Sequence, residues 1–165
     1  MTGPRIITIG VYGFSEAEFF AKLQAAHVDC FCDVRQRRGV RGSEYAFANS
    51  QRLQARLAQM GIRYVHLKEL APSPELRQTQ YAADKQTKTG KRDRSVLDPA
   101  FASAYRAAHL TDFSPQAFVA SLREPSGRDA KVVALFCVER APEACHRSLI
   151  ADALAQAGLE VQHIR

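Results

Sequence analysis

The chain has 165 residues, 46% of them hydrophobic and 24% charged, a composition that fits one ordinary globular domain and excludes a fibrous repeat. No run approaches the roughly 18 consecutive apolar residues that a membrane helix requires. Met1 to Arg5 leads straight into an expected strand without the apolar segment of a secretory signal, so a cytoplasmic location with no membrane partner is expected. A formal net charge of +6 favours anionic partners: nucleotides, nucleic acid or other phosphorylated small molecules. The cysteines are Cys30, Cys32, Cys137 and Cys145. In a reducing compartment they read as buried thiols, reactive groups or metal ligands rather than disulfides.

In chain order, Ile6 to Gly10 is a short β-branched run and reads as a buried strand. Ser15 is a good helix cap, with Glu18 completing a capping box. The helix from Glu16 to about His27 puts Phe19, Phe20 and Leu23 on an apolar face. A second strand, Val28 to Val34, runs into the basic stretch Arg35 to Gly42. A helix follows with Leu53, Leu57 and Met60 at helical spacing, and Gly61 closes it. Ile62 to Leu67 is the third strand. Ala71-Pro72-Ser73-Pro74 then breaks the pattern, and Asp84 to Ser95 is expected to be an exposed, mobile basic loop. Short helices are expected over Pro99 to Ala108 and Pro115 to Leu122, the second capped by Ser114. Lys131 to Val138 is nearly all apolar, as a central strand covered on both faces would be. Pro142 opens a helix that runs to Gln156 and ends at Gly158, and Glu160 to Ile164 is a closing strand.

This alternation predicts a single α/β domain over residues 1–165, with three layers around a mostly parallel, Rossmann-like sheet of five strands. The expected order is 3-2-1-4-5. Ligands in such sheets bind beyond the carboxyl ends of the strands, where the winding reverses. That rule selects Gly10 to Ser15, Asp33 to Gly42, His66 to Leu70 and Cys137 to Arg147.

The last of these segments, CVERAPEACHR, packs two thiols, an imidazole, two carboxylates and two guanidinia into eleven residues. Cys145, His146 and Arg147 fall at the expected start of a helix, where free amides and the helix dipole favour an anion and would lower a thiol pKa. Arg147 is therefore a candidate phosphate ligand, and Cys137 or Cys145 with His146 a candidate nucleophile and base. A zinc site from Cys137, Cys145 and His146 is a further alternative, although the usual paired short ligand spacings are absent. Buried, inert cysteines are the plain alternative. A phosphatase-type loop would need arginine six residues after Cys137, where Glu143 stands.

Elsewhere, Asp33 is a candidate general base or ribose acceptor, set against simple pairing with Arg35. Arg35 and Arg41 are candidate phosphate ligands, Tyr12 a stacking residue and Ser15 first of all a cap. His66 is more ordinary as a core or rim histidine than as a base. Lys85, Lys88, Lys91, Arg92 and Arg94 form a basic run that could contact a phosphate backbone. Nothing in the chain indicates a flavin, nicotinamide or haem, so no cofactor is assigned.

The stretches Thr8-Ile9-Gly10, Tyr12-Gly13, Ser15, Asp33-Val34-Arg35, Gly61 to Leu67, Cys137-Val138-Glu139, Cys145-His146-Arg147 and Val161 to Ile164 together resemble the family catalogued as domain of unknown function 488. The pairing of Cys-x-Glu with Cys-His-Arg is the most distinctive part. The chain departs from that pattern at Gln36 to Arg41 and at Leu70-Ala71-Pro72. The resemblance implies the fold and the site location and carries no reaction. The leading expectation is an enzyme or processing factor for a nucleotide, nucleic acid or other phosphorylated ligand, with Asp33, Glu139, His146 or Cys145 handling the chemistry. A non-catalytic binding module and a cysteine- or zinc-dependent enzyme are the alternatives.

Overall fold

Val132–Phe136 (VVALF) carries no polar side chain, and Val133 to Phe136 are wholly buried. Such a strand is most stable with a neighbour on each edge and helices on both faces. It lies in the middle of the sheet. In the structure, a computed structural model that describes residues 3–165, the strands are β1 (Arg5–Ile9), β2 (Cys30–Asp33), β3 (Arg63–His66), β4 (Val132–Phe136) and β5 (Val161–His163). Met1 and Thr2, where the reading of a leader-free start begins, lie outside the described residues.

All four strand pairings are parallel and the order is β3-β2-β4-β1-β5. The expected order 3-2-1-4-5 is thereby corrected. The first and fourth strands are neighbours as anticipated, but they exchange places. β1 carries two polar residues that need partners, and the short edge strand β5 supplies them. Thr8 Oγ1 lies 2.7 Å from His163 Nδ1, and Arg5 Nη1 lies 3.2 Å from Gln162 Oε1. The wholly apolar β4 takes the position with no such requirement.

The side-chain alternation of each strand divides the core between two faces. Ile7, Ile9, Phe31, Ala134 and Phe136 meet α1 (Glu16–Ala25) and α2 (Ser50–Gln59). Phe19 sits among Phe20, Phe31, Phe47 and Phe136 with ring centroids 5.2–6.4 Å apart. Burial of each such ring contributes about 1.5–3 kcal/mol. Ile6, Cys30, Cys32, Val133 and Leu135 face the opposite layer. That layer consists of α3 (Pro74–Gln86), α4 (Pro99–Tyr105), α5 (Pro115–Ser121) and α6 (Arg147–Gln156). A single π-turn, Arg106–Leu110, extends α4. Among the described residues no helix is long and apolar enough to cross a membrane.

The caps follow the sequence closely. Ser15 and Glu18 form the capping box, and Ser114 caps α5. Gly61 and Gly158 end α2 and α6 at positive φ. Two elements differ from expectation. The expected mobile loop at 84–95 begins inside α3, capped by Ser73, and closes with the turn Lys91–Asp93. Its anchors, Asp84 and Arg94, are buried. The chain is helical at the start of this stretch because α3 seats itself through polar groups rather than an apolar stripe. Gln80 hydrogen-bonds both Asp84 and the Asp98 amide, and Asp84 binds Arg94. The second difference is the helix expected from Pro142. Pro142–Ala144 is a 3-10 turn, Cys145 is extended, and α6 starts at Arg147 with His146 as its cap residue.

Candidate functional site

The connections after β1 and β2 lead to the α1–α2 face, whereas the chain leaving β4 turns to α6 on the other face. A gap must open at the carboxyl end of β4, between loops that part in opposite directions. A cavity of about 660 Å³ lies there. Its walls come from Tyr12 after β1, Arg35 to Arg37 and Gly39 to Arg41 after β2, and Cys137 to Glu139 with Ala144 to His146 after β4. The fourth wall is Arg77, Gln80 and Tyr81 of α3 together with Gly90 to Arg94.

Close backbone packing sets the β4 end in place. A Cβ on Gly10 would stand 1.9 Å from the Glu139 carbonyl oxygen and 3.2 Å from Arg147 Nη2, so only glycine permits the approach of these two loops. Arg147 is fully buried and donates from Nη1 to the Glu139 carbonyl at 2.8 Å and from Nη2 to the Arg140 carbonyl at 3.3 Å. The guanidinium that the sequence offered as a phosphate ligand thus ties the loop together from behind, outside the cavity lining.

At the floor, one ligand atom each of Cys137, Cys145 and His146 lies within 4.8 Å of the others. Cys145 Sγ is 3.7 Å from His146 Nδ1. His146 Nε2 is 2.8 Å from the Val34 carbonyl oxygen. A carbonyl only accepts, so Nε2 carries a proton and Nδ1 is the ring atom that faces the sulfur. Burial resists ionisation of Cys145. The hydrogen bond from Cys137 and the charges of His146 and Arg147 outweigh it and hold this thiol well below its usual range. The same hydrogen bond, reinforced by burial, pushes Cys137 well up. Burial also opposes a charged His146, but the neighbouring Cys145 raises its pKa. Cys137, Cys145 and His146 are thereby arranged as one potential thiolate, its hydrogen-bond donor and an imidazole.

Glu139 stands two residues beyond Cys137 and is 6% exposed. Burial raises its pKa, as does the charge of Cys145, against the pull of Lys91 and Arg94. Oε1 is 3.3 Å from Arg94 Nη1 and 4.0 Å from Lys91 Nζ. Oε2 has no hydrogen-bond partner among the described residues.

The remaining candidates divide. Asp33 is wholly buried, and its two oxygens accept from Arg35 at 2.9 and 2.8 Å and from Tyr64 at 2.6 Å. This is the pairing alternative rather than a free base. Arg35 also donates to the Ala48 carbonyl and lies 4.7 Å over the Phe136 ring, while still lining the cavity. Arg41 is an exposed rim residue. Tyr12 lines the cavity edge-on to Tyr45 at 5.3 Å, with Arg92 5.4 Å above its ring. Ser15 is occupied as a cap, and His66 Nε2 bonds the Arg35 carbonyl at 2.8 Å. Neither of the last two lines the cavity.

Sequence reading missed Arg77 and Tyr81 as cavity residues and Asp84 as the anchor of Arg94, while Lys91, Arg92 and Arg94 of the expected basic run do line the cavity. The i, i+4 spacing of Gln80 and Asp84 was the available signal for a helix there.

The profile of a protein family described as "Domain of unknown function DUF488" matches residues 15–154. The chain belongs to this family. Both halves of the cluster at β4, Cys137 to Glu139 and Cys145 to Arg147, fall within the matched span, as do α3 and the wall it supplies. Neither a curated protein nor a solved structure matches this DUF488 chain.

Proposed function

We propose that the protein binds a phosphorylated ligand of the nucleotide class, free or at the end of a single strand, in the cavity at the carboxyl edge of the sheet. The observation that carries this reading is the charge of the lining: seven Arg or Lys side chains against two carboxylates, Asp93 and Glu139. Arg35, Lys91, Arg92 and Arg94 are already paired with Asp33, Glu139, Glu44 and Asp84, which leaves Arg37, Arg41 and Arg77 as the cations to meet phosphate oxygens. Arg77 Nε is buried without a hydrogen-bond partner among the described residues. Tyr12 and Tyr81 offer ring faces for a base. A volume near 660 Å³ lies within the about 300–1,000 Å³ common for small-molecule sites. The thiols, imidazole and carboxylate at the floor would face the bound group, so the same cavity has the groups needed to process what it holds.

Calorimetric titration with nucleoside mono-, di- and triphosphates, the parent nucleosides and inorganic phosphate tests this. Binding that requires phosphate, weakens with salt and falls at least about tenfold in Arg77→Ala, the loss of one charged hydrogen bond, is expected. Absence of binding at low salt, or equal affinity for the nucleoside, removes the reading. Should Glu139→Gln then bind and turn over the ligand unchanged, the site is a binding module rather than an enzyme.

A further inference from the structure

We propose that Cys137 Sγ, Cys145 Sγ and His146 Nδ1 form a three-ligand zinc site whose remaining coordination position opens into the cavity beside Glu139. Tetrahedral zinc with sulfur and imidazole ligands places its donor atoms about 3.5–3.8 Å apart. The Cys145–His146 separation is 3.7 Å, and all three donors lie within 4.8 Å of one another. The donors therefore already stand near their bound spacing, and closing the site needs only small side-chain movement.

Three further features fit a metal. The ring is turned by the Nε2–H bond to the Val34 carbonyl, which leaves Nδ1 as the ligand atom and is the outer contact that metal-bound histidines commonly make. All three residues are at most 5% exposed yet line the cavity, so an ion has a route in. Glu139 Oε2, buried and without a partner among the described residues, belongs to the same lining. It provides a hydrogen-bond acceptor for the water or ligand atom that fills the fourth position. Three protein ligands with one position free is the pattern of reactive zinc sites, whereas structural sites close all four. On binding, Zn²⁺ takes both sulfurs as thiolates and their two protons pass to solvent. The resulting centre is neutral, which suits a cavity already rich in cations. This assignment stands apart from the phosphate reading, because metal is measured with no other ligand present.

The test is metal content and spectroscopy of the full chain. Protein loaded with zinc and desalted should retain about one ion per chain. The Cys30→Ser/Cys32→Ser variant should match it, while Cys137→Ser and Cys145→Ser should lose it. After chelation, Co²⁺ should give thiolate-to-metal charge-transfer absorption and intense tetrahedral visible bands in the wild type. Should the Cys137 or Cys145 variants fail to fold by circular dichroism, zinc-edge X-ray absorption of the wild type decides, with two sulfurs and a nitrogen in the first shell expected. No retained zinc and no cobalt spectrum in the wild type, retention by folded Cys145→Ser, or a sulfur-free first shell would overturn the assignment.

Discussion

Asp33 and Arg35 meet in a two-pronged contact inside the protein: Arg35 Nε lies 2.9 Å from Oδ1 and Nη2 2.8 Å from Oδ2, with side chains 0% and 3% exposed, respectively. The carboxylate also accepts the Arg35 amide and the Tyr64 hydroxyl. The pair clamps the loop that follows β2. Asp33→Asn leaves a buried guanidinium without its counter-charge, a change that costs about 3–5 kcal/mol. Urea unfolding should show that loss, and ligand affinity per folded molecule should stay within a few-fold. A variant of wild-type stability that had lost turnover would instead make Asp33 a proton acceptor.

Arg147 predicts a similar separation of stability from binding. Its two hydrogen bonds to the Glu139 and Arg140 carbonyls need a planar, forked donor. Arg147→Lys keeps the charge and loses one of the two bonds. It should lower the unfolding free energy by about 1–3 kcal/mol, the cost of a buried acceptor left unmet. Arg147→Ala should be largely unfolded by circular dichroism, because it adds a cavity at a fully buried site.

The anchor of the α3 wall should be sensitive to acid. Burial works against a charged Asp84, yet its bonds from Arg94 and Gln80 hold its pKa below the ordinary value of 3.8. A carboxylate with a lowered folded-state pKa stabilises above its unfolded value and loses that contribution as pH falls through the folded one. At pH 7 Asp84→Asn should be less stable than wild type by about 3 kcal/mol, as for a broken buried pair. Below pH 3.8 the two unfolding curves should converge. A gap independent of pH would show that packing rather than charge holds α3.

Gly10→Ala tests the closeness of the β1 and β4 loops. The added methyl would meet backbone, the Glu139 carbonyl at 1.9 Å, and backbone cannot step aside as a flexible side chain can. A loss of at least about 3 kcal/mol, the upper end for overpacking, is expected by thermal or urea unfolding. Wild-type stability would mean that the loops have room to part.

Much of the architecture is legible in the residues themselves. Ser15 with Glu18, Ser114, Gly61 and Gly158 mark helix ends through local bonds and backbone freedom, which need no tertiary partner. The apolar run of β4 announces a central strand for the same reason. What local pattern does not carry is pairing. The exchange of β1 and β4 rests on Thr8 meeting His163, 155 residues away. The α3 helix hides because Gln80 and Asp84 seat it in place of an apolar stripe. The cluster of candidate groups at Cys137 to Arg147 was visible, but their roles were not. Adjacent in the chain, His146 faces the cavity lining and Arg147 points into the packed interior, a division that only the turn at Pro142–Ala144 creates.

The position of β4 also determines when this molecule can assemble. β1 and β2 never touch as hydrogen-bonded neighbours; each is joined to β4, which lies between them. A nascent chain that has emerged only as far as Lys131 therefore holds β1 and β2 with an empty slot between them. Such an intermediate presents unpaired strand edges of the kind that invite aggregation. Synthesis must bring out Val132–Phe136 before β1 and β2 can be joined, and the cavity floor follows directly after it.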